Sequence, residues 1–265
     1  MKKRRLRPLV VIIFFVICLI GVIYFSYKVL IWEFHVNENH KIQEIIKDKI
    51  IITEPNINDD NQELIDEIEE NNNETQELQY NIDFKSLKDE NPDTIAYLKV
   101  NNTDIEYIIV KGKDNSYYLK HNFEKKWNTA GWVFADYHNK FDETDKNIVI
   151  YGHSMKNGSM FGTLKNILTK DWYTNEENHK IVLVTEKGLY NYEVFSTYSI
   201  QVEDYYINTS FRNNDEFSSF VKKLKSRSIY NYGNNVTGED KILTLSTCTA
   251  GGTKRVVLHA KLIQN

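Results

Sequence analysis

The feature that constrains this chain most is an uncharged apolar run near its N-terminus. Residues 9–25, LVVIIFFVICLIGVIYF, carry no charge, and apolar character resumes at Val29–Trp32. The residues that precede the run are basic: Lys2, Lys3, Arg4, Arg5 and Arg7. About 20 apolar residues cross a bilayer as a helix, which pairs every backbone group within the segment. Residues 1–32 are therefore predicted to be a cytoplasmic basic tip and a transmembrane anchor.

A cleaved signal peptide is the alternative, since it also begins with basic residues. Its apolar region would be about 7–15 residues long and would be followed by small residues at a cleavage site. Here the run ends among aromatic residues that are typical of a membrane–water interface: Tyr24, Phe25, Tyr27 and Trp32. We therefore favour an uncleaved single-pass anchor in the cell membrane. Basic residues stay on the cytoplasmic side, so the rest of the chain is expected outside the cell.

The outer part of the chain is acidic and contains one cysteine. Six of the 33 basic residues and none of the 37 acidic residues lie within 1–32, so the remainder has a formal charge of −10. Phosphate binding needs a basic face, which argues against a nucleic-acid partner. Cys18 lies in the predicted anchor, so Cys248 has no disulfide partner outside the membrane. Cys248 is either an inert buried residue or a thiol with a chemical role.

Composition divides the outer part into a linker and a globular domain. Residues 33–79 are predicted to be an extracellular stalk, with a loosely helical first part and a second part rich in Asn, Asp and Glu. Residues 80–265 alternate short strands with few helices, which predicts a mostly β domain, either a closed barrel or a sandwich. The predicted strands are Thr94–Val100, Ile105–Val110, Gly131–Phe134, Asn147–Tyr151, His179–Thr185, Leu189–Gln201 and two within Lys241–Ile263. The predicted helices are Phe84–Leu87, Phe161–Leu168 and Asp215–Lys225, the last capped by Asn213 or Asn214.

Cys248 is predicted to end one strand, and Arg255 is near the start of the next. A cation beside a thiol can stabilise the thiolate or donate hydrogen bonds to an oxyanion. Arg255 suits the second role because it cannot accept a proton. Lys254 is the alternative cation and lies on the opposite face of the strand.

A nucleophilic thiol also needs a base, and His153 is the best placed of the five histidines in the globular part. It follows the apolar strand Asn147–Tyr151 and Gly152, which lets the backbone turn sharply. The alternative is a structural histidine with satisfied hydrogen bonds. The globular part has no close pair of histidines and one thiol, so neither a metal nor any other cofactor is expected.

Several motifs together resemble the sortases, which are membrane-anchored cysteine transpeptidases of Gram-positive bacteria. TLSTC at Thr244–Cys248 is followed by an arginine on the next strand, and the histidine follows a Tyr-Gly strand end. The similarity is closest to class B. It extends over the whole region after the stalk and includes GKDNSYYLKHNF (Gly112–Phe123), AGWVFADY (Ala130–Tyr137) and NIVIYGHSMKNGSMFGTLK (Asn147–Lys165).

The resemblance implies a closed eight-stranded β-barrel with an N-terminal helical lead-in and a helix before the last two strands. It implies a cysteine protease-type acyltransferase in which Cys248 attacks the threonyl carbonyl of an NPxTN/G-like C-terminal sorting signal on a secreted protein. His153 would be the general acid–base and Arg255 would hold the oxyanion. An amine of peptidoglycan or lipid II would then accept the acyl group. The implied substrate-binding residues are Asn115, Leu119, Tyr206, Ile207 and Ser246.

Two other functions are compatible with the same residues. A papain-like cell-envelope cysteine peptidase or amidase would use a Cys and a His, but those folds typically carry the cysteine at a helix N-terminus. A non-enzymatic, anchored envelope-binding module would leave Cys248 buried and inert. The turn 249–254 after Cys248 is short, and it is the segment where we expect this protein to differ most from sortases.

Overall fold

The computed structural model describes residues 8–53, 78–248 and 253–263. The chain begins with one continuous helix, α1 (Pro8–Lys47), of 40 residues. The N-terminal part of α1 is exposed and apolar, and the helix is long and apolar enough to cross a membrane. The expected order of one such helix before a β domain is confirmed.

Eight strands form a closed barrel in the order β10-β8-β7-β3-β4-β5-β6-β9. Their bounds are β3 Thr94–Val100, β4 Glu106–Val110, β5 Phe134–Ala135, β6 Asn147–Gly152, β7 Lys180–Thr185, β8 Gly188–Gln201, β9 Ile242–Cys248 and β10 Lys254–Leu262. The pairs β4–β5 and β6–β9 are parallel, and the other neighbours are antiparallel. The eight-stranded barrel implied by the sequence resemblance is confirmed.

Short helices and a small sheet surround the barrel. Antiparallel strands β1 and β2 form the small sheet, and α2 follows them. The elements are β1 Ile50–Thr53, β2 Gln79–Ile82, α2 Phe84–Glu90, α3 Lys170–Thr174 and α4 Asn214–Ser226. The predicted helix at residues 161–168 is a 3₁₀ helix, Gly162–Leu168.

The helix before the last two strands forms where the sequence predicts it. Asn213 caps α4, since its side-chain oxygen accepts a hydrogen bond from the backbone N–H of Glu216. The apolar face of α4 packs over β8, β9 and β10 and closes a second core outside the barrel.

Strand β5 is shorter than predicted. The sequence predicts a strand over 131–134, whereas the structure has only Phe134–Ala135. Gly131 has φ +59°, and a Cβ atom there would lie 2.4 Å from the carbonyl oxygen of Tyr118. The backbone therefore turns at Gly131, and the indole of Trp132 donates a hydrogen bond to the backbone of β4 at Ile108 (2.8 Å).

The C-terminal half of α1 packs on the barrel. His35, Asn39, Ile42 and Ile46 are buried and lie on one helical face. Asn39 donates a hydrogen bond of 2.9 Å to the Gly131 carbonyl. These four residues belong to the segment 33–79 that the sequence assigns to a stalk, so the first part of that segment is attached to the barrel.

Candidate active site

Strand register brings the last residues of β6 and β9 beside the first residues of β10 at one end of the barrel. Gly152 of β6 pairs with Thr247 of β9, and Cys248 pairs with Arg255 of β10. His153 and Cys248 each come one residue after the Gly152–Thr247 pair. The backbones of the three residues predicted to carry the chemistry are thus neighbours. The Cys248 side chain and the turn at residues 249–252 lie outside the part of the chain that the structure describes.

The position of His153 depends on the glycine before it. A Cβ atom on Gly152 would lie 2.7 Å from Cγ of the buried Phe161 ring, closer than real side chains approach. The backbone N–H of Phe161 donates a hydrogen bond of 2.9 Å to the His153 carbonyl. Together these contacts fix the backbone where β6 ends.

The His153 ring is held in one tautomer. Its Nε2 lies 2.8 Å from the backbone carbonyl oxygen of Leu119. A carbonyl can only accept, so Nε2 carries the proton. Nδ1 is then the ring atom available to exchange a proton with a thiol or an amine, and the half-buried ring remains accessible to ligand.

Arg255 presents its guanidinium to the same space. Among the residues that the structure describes, the guanidinium makes one hydrogen bond, a long one of 3.4 Å from Nη1 to the Lys254 carbonyl. Most of its five donors are therefore available to a ligand. Arg255 lines the cleft with His153, whereas the side chain of Lys254 is exposed. This favours Arg255 as the cation of the site.

A cleft of about 230 Å³ joins these residues. It is lined by all seven site residues that the sequence singles out besides Cys248: Asn115, Leu119, His153, Tyr206, Ile207, Ser246 and Arg255. Tyr206 and Ser246 are buried and share a hydrogen bond of 3.0 Å between their hydroxyls. The roles of these residues in binding or catalysis stay predictions.

Comparison with known proteins identifies the family of this chain. Residues 98–263 match the sequence profile of the sortase domain. The chain belongs to the sortase family. Sortase B of Listeria monocytogenes is 38% identical over 186 residues, which cover 68% of this chain and 74% of that protein.

Solved sortase B structures share the fold. One from Bacillus anthracis, in complex with AAEK1, has a TM-score of 0.70 and 31% identity, and covers 88% of this chain and 99% of that one. A Staphylococcus aureus sortase B–substrate complex has a TM-score of 0.64 and 34% identity, and covers 68% of this chain and 84% of that one. These relatives place the chain in class B of the sortases, a family of cysteine transpeptidases.

Sequence reasoning missed Asp136, which does not line the sortase cleft itself but contacts two residues that do, Asn115 and Tyr151. It is 3% exposed, and its carboxylate accepts hydrogen bonds from Asn115 Nδ2 (2.7 Å) and the Tyr151 hydroxyl (2.8 Å). His138 donates to it from its backbone N–H (2.9 Å), and the His138 Nδ1 lies 2.8 Å away. Burial, followed by the nearby Asp136 charge, raises the pKa of Tyr151 above its usual range. The signal in the sequence was a polar residue at the end of the apolar run AGWVFADY.

A second histidine of the sortase barrel, His259, is structural. Its ring is completely buried, and burial lowers its pKa to about 3, so the ring is neutral. Thr244 Oγ1 donates to Asn147 (2.7 Å) and therefore accepts from His259 Nδ1 (2.8 Å). His259 Nε2 then accepts from the Tyr198 hydroxyl (2.8 Å). Both ring nitrogens are satisfied, whereas for His153 the described residues supply a hydrogen-bond partner to Nε2 alone.

Proposed function

We propose that this protein is a membrane-anchored class B sortase that cleaves an NPxTN/G-like C-terminal sorting signal after threonine. It then joins the new C-terminus to an amine of peptidoglycan or lipid II. The observation that supports this most is the cleft in which His153 and Arg255 meet the strand end that carries Cys248. A solved relative is a complex of sortase B with substrate, which supports a substrate-binding role for this fold.

The first step forms an acyl-enzyme. The Cys248 sulfur attacks the threonyl carbonyl carbon, and the carbonyl oxygen becomes an oxyanion that accepts hydrogen bonds from the Arg255 guanidinium. His153 Nδ1 takes the proton of the Cys248 thiol and passes it to the leaving nitrogen as the C–N bond breaks. The products are a thioester on Cys248 and the free amine of the C-terminal fragment.

The second step transfers the acyl group. The acceptor amine attacks the thioester carbonyl, and His153 Nδ1 removes a proton from it. The C–S bond breaks, the thiolate leaves, and a new amide joins the protein to its acceptor. Water in place of the amine would give hydrolysis, the cysteine peptidase activity of the same site.

The remaining cleft residues suit a short extended peptide. Leu119 and Ile207 supply apolar walls, and the side chains of Asn115 and Ser246 can form hydrogen bonds with peptide groups. In this proposal α1 anchors the enzyme, with its N-terminus in the cytoplasm and the barrel outside the cell.

The test uses purified protein with fluorogenic sorting-signal peptides, with and without an amine acceptor. Amine-dependent product should be lost in Cys248→Ala and should fall about 100-fold or more in His153→Ala, since acid–base catalysis contributes about 10²–10⁴-fold. Arg255→Ala should be severely impaired, with Lys254→Ala as the matched control. Full activity in Arg255→Ala would assign the cationic role to Lys254. A Cys248 that resists a thiosulfonate reagent in the native protein would favour a non-enzymatic envelope module.

A further inference from the structure

A second cavity opens at the end of the barrel opposite to the cleft. It has a volume of about 340 Å³ and is lined by Ile148 near the start of β6, Ile242 at the start of β9 and Leu262 at the end of β10. Strand β6 is parallel to β9, and β10 is antiparallel to β9, so these three positions lie at the same end. Ile148 is five residues before His153, which is roughly 17 Å along a strand. We call this cavity the far mouth.

The inner wall of the far mouth is apolar and aromatic. Tyr190 and Tyr192 are two residues apart on β8, so their side chains lie on the same face of the strand. Leu183 of β7 pairs with Tyr190, and Leu262 of β10 pairs with Tyr192. All four residues line the cavity. Small-molecule sites occur in the mouths of β-barrels, where an apolar wall is combined with a few polar groups.

The Tyr192 hydroxyl is a buried polar group without a partner. The residue is 3% exposed and lines the far mouth, and among the described residues its hydroxyl makes no hydrogen bond. Burial, followed by the neighbouring Tyr190 and Asp145, raises the pKa of Tyr192, so the hydroxyl stays neutral. In the cleft, by contrast, the buried Tyr206 shares its hydroxyl with Ser246 (3.0 Å). An unpartnered buried hydroxyl costs free energy, which a ligand that bonds to it would recover.

Asp145 supplies a second unpartnered group to the far mouth. The residue is 7% exposed and lines the cavity. Its Oδ2 accepts hydrogen bonds from the backbone N–H groups of Lys140 (2.9 Å) and Phe141 (2.6 Å), whereas its Oδ1 accepts none from the described residues. A buried carboxylate is costly unless it is paired and hydrogen-bonded. Oδ1 is therefore a position where a cationic donor would be stabilised.

The same carboxylate holds one wall of the far mouth in a strained conformation. Phe141 lines the cavity and has φ +56°, a left-handed conformation that is costly for a bulky residue. The hydrogen bonds to Asp145 Oδ2 come from Phe141 itself and from the residue before it, so they maintain this turn. Strained backbone persists only where its surroundings hold it, and it is concentrated at ligand sites.

The charges around the far mouth favour a cation. Lys241 pairs with Glu143, and Lys261 pairs with Asp240 (3.1 Å). Two other lysines nearby donate to backbone carbonyl groups: Lys146 and Lys187. The ammonium groups are thus engaged, whereas Asp145 has no cation among the described residues. The lining contains five acidic residues and one basic residue: Asp142, Glu143, Asp145, Glu239, Asp240 and Lys241.

We propose that the far mouth binds a small primary amine, in its ammonium form, that carries an apolar body. An ammonium group has three N–H donors and no acceptor. The far mouth offers it Asp145 Oδ1 and the hydroxyl oxygens of Tyr190 and Tyr192, and the tyrosine rings favour a nearby cation. The leucine wall suits the apolar body. This site is separate from the cleft and goes beyond the proposed transpeptidase, whose acceptor amine must reach the other end of the barrel.

The test is saturation-transfer difference NMR of the full chain in phosphatidylcholine nanodiscs, with the signal of empty nanodiscs subtracted. Benzylamine is the probe. Benzyl alcohol has the same ring without the charge, and benzyltrimethylammonium has the charge without N–H donors. Benzylamine should bind about 10-fold or more tightly than either, because hydrogen bonds from a charged donor to a carboxylate are the strong ones.

Two variants assign the binding to the far mouth. Tyr192→Phe removes only the unpartnered hydroxyl, so it should weaken benzylamine binding about 3- to 10-fold without lowering the thermal stability measured by circular dichroism. Asp145→Asn should weaken binding about 10-fold or more. The matched control is Tyr173→Phe, at a half-buried tyrosine outside the far mouth whose hydroxyl donates to the Asn231 carbonyl. It should bind benzylamine as the wild type does.

Three results would overturn the proposal. Binding that is the same in Tyr192→Phe as in the wild type would remove the far mouth as the site. Loss of binding in His153→Ala would place the probe in the cleft instead. Equal affinity for benzylamine and either of the other two probes would show that the site does not select an ammonium donor. None of these readouts requires transpeptidase activity, so a failure of the proposed chemistry would be seen separately.

Discussion

His153 and His259 belong to the same barrel, but their surroundings give them different roles. Both ring nitrogens of His259 are hydrogen-bonded to side chains in a buried network, whereas among the described residues only Leu119 contacts a ring nitrogen of His153, and it occupies Nε2. A histidine buried with satisfied hydrogen bonds has no proton to exchange with a ligand. This difference leads to a measurable effect of pH on stability.

The stability of the folded domain should fall in acid because His259 must stay neutral. Its pKa is about 3 in the folded state and about 6.5 in the unfolded state, so between these values the unfolded chain binds more protons. The free energy of unfolding is then lost as pH decreases from about 6.5 toward 3, by up to about 1.4 kcal/mol per pH unit from this residue. Urea unfolding of the wild type and of His259→Gln at pH 7.5, 6.5 and 5.5 tests this.

The variant should be less stable at pH 7.5, because its buried partners lose their hydrogen bonds, but its stability should depend less on pH. Burial also lowers the pKa of His179, and that contribution is common to both proteins. If the free energy of unfolding changes equally with pH in the wild type and in His259→Gln, the prediction is contradicted.

Asp136 should act as a positioning residue for the cleft. In Asp136→Asn the charged acceptor shared by Asn115 and Tyr151 is lost, and hydrogen bonds to charged groups contribute about 1.5–3 kcal/mol. We expect kcat/KM for a sorting-signal peptide to fall about 10- to 100-fold, mainly through KM. Steady-state kinetics would measure this. Asp142→Asn, at a half-buried aspartate outside the cleft, is the matched control and should retain activity.

The rate of thiosulfonate labelling of Cys248 separates positioning from a general loss of folding. It should be unchanged in Asp136→Asn. A parallel loss of labelling and of activity would show that Asp136 acts on the whole domain.

Among the secondary-structure elements, the sequence predicts strands and helices best where a regular apolar pattern extends over the whole element. β3 has the predicted bounds, and α4 differs by one residue at each end, because each buries a regular apolar face. β5 was predicted too long because the positive φ of Gly131 and the hydrogen bond of the Trp132 indole are tertiary effects. Asp136 was missed for the same reason, since Asn115 and Tyr151 reach its carboxylate only in the folded barrel.

The end of β6 should tolerate no side chain at Gly152. In Gly152→Ala the new Cβ would approach the Phe161 ring to 2.7 Å, and that ring is fully buried. Overpacking of this kind costs about 1–3 kcal/mol, and the shift at the strand end would move His153 and reduce activity. Urea unfolding and peptide cleavage would measure the two effects.

A second substitution provides the control. Phe161→Leu in the Gly152→Ala background removes the contact and should recover part of both losses, so the two changes should not be additive. Additive losses would mean that the Phe161 contact is not the cause.

For the whole molecule, the question is where the folded domain begins. Composition predicts the boundary at residue 80, because residues 53–79 offer little to bury. The docking face of α1 repeats at helical spacing, but the sequence alone does not say what covers it. Only the fold shows that Ile42 and Ile46 join the main core of the barrel.

The C-terminal half of α1 should therefore stabilise the barrel as well as connect it to the membrane. Ile46 is 3% exposed and its neighbour Ile45 is 56% exposed, so they form a matched pair on one helix. In a chain of residues 33–265, Ile46→Ala should lower the free energy of unfolding by about 2–5 kcal/mol, whereas Ile45→Ala should change it by less than about 0.5 kcal/mol. A chain of residues 80–265 loses the burial of both Ile42 and Ile46, roughly 3–6 kcal/mol at 1.5–3 kcal/mol for each side chain. Urea unfolding of the four proteins measures these differences. Equal stability of the 33–265 and 80–265 chains would mean that the folded domain begins at residue 80.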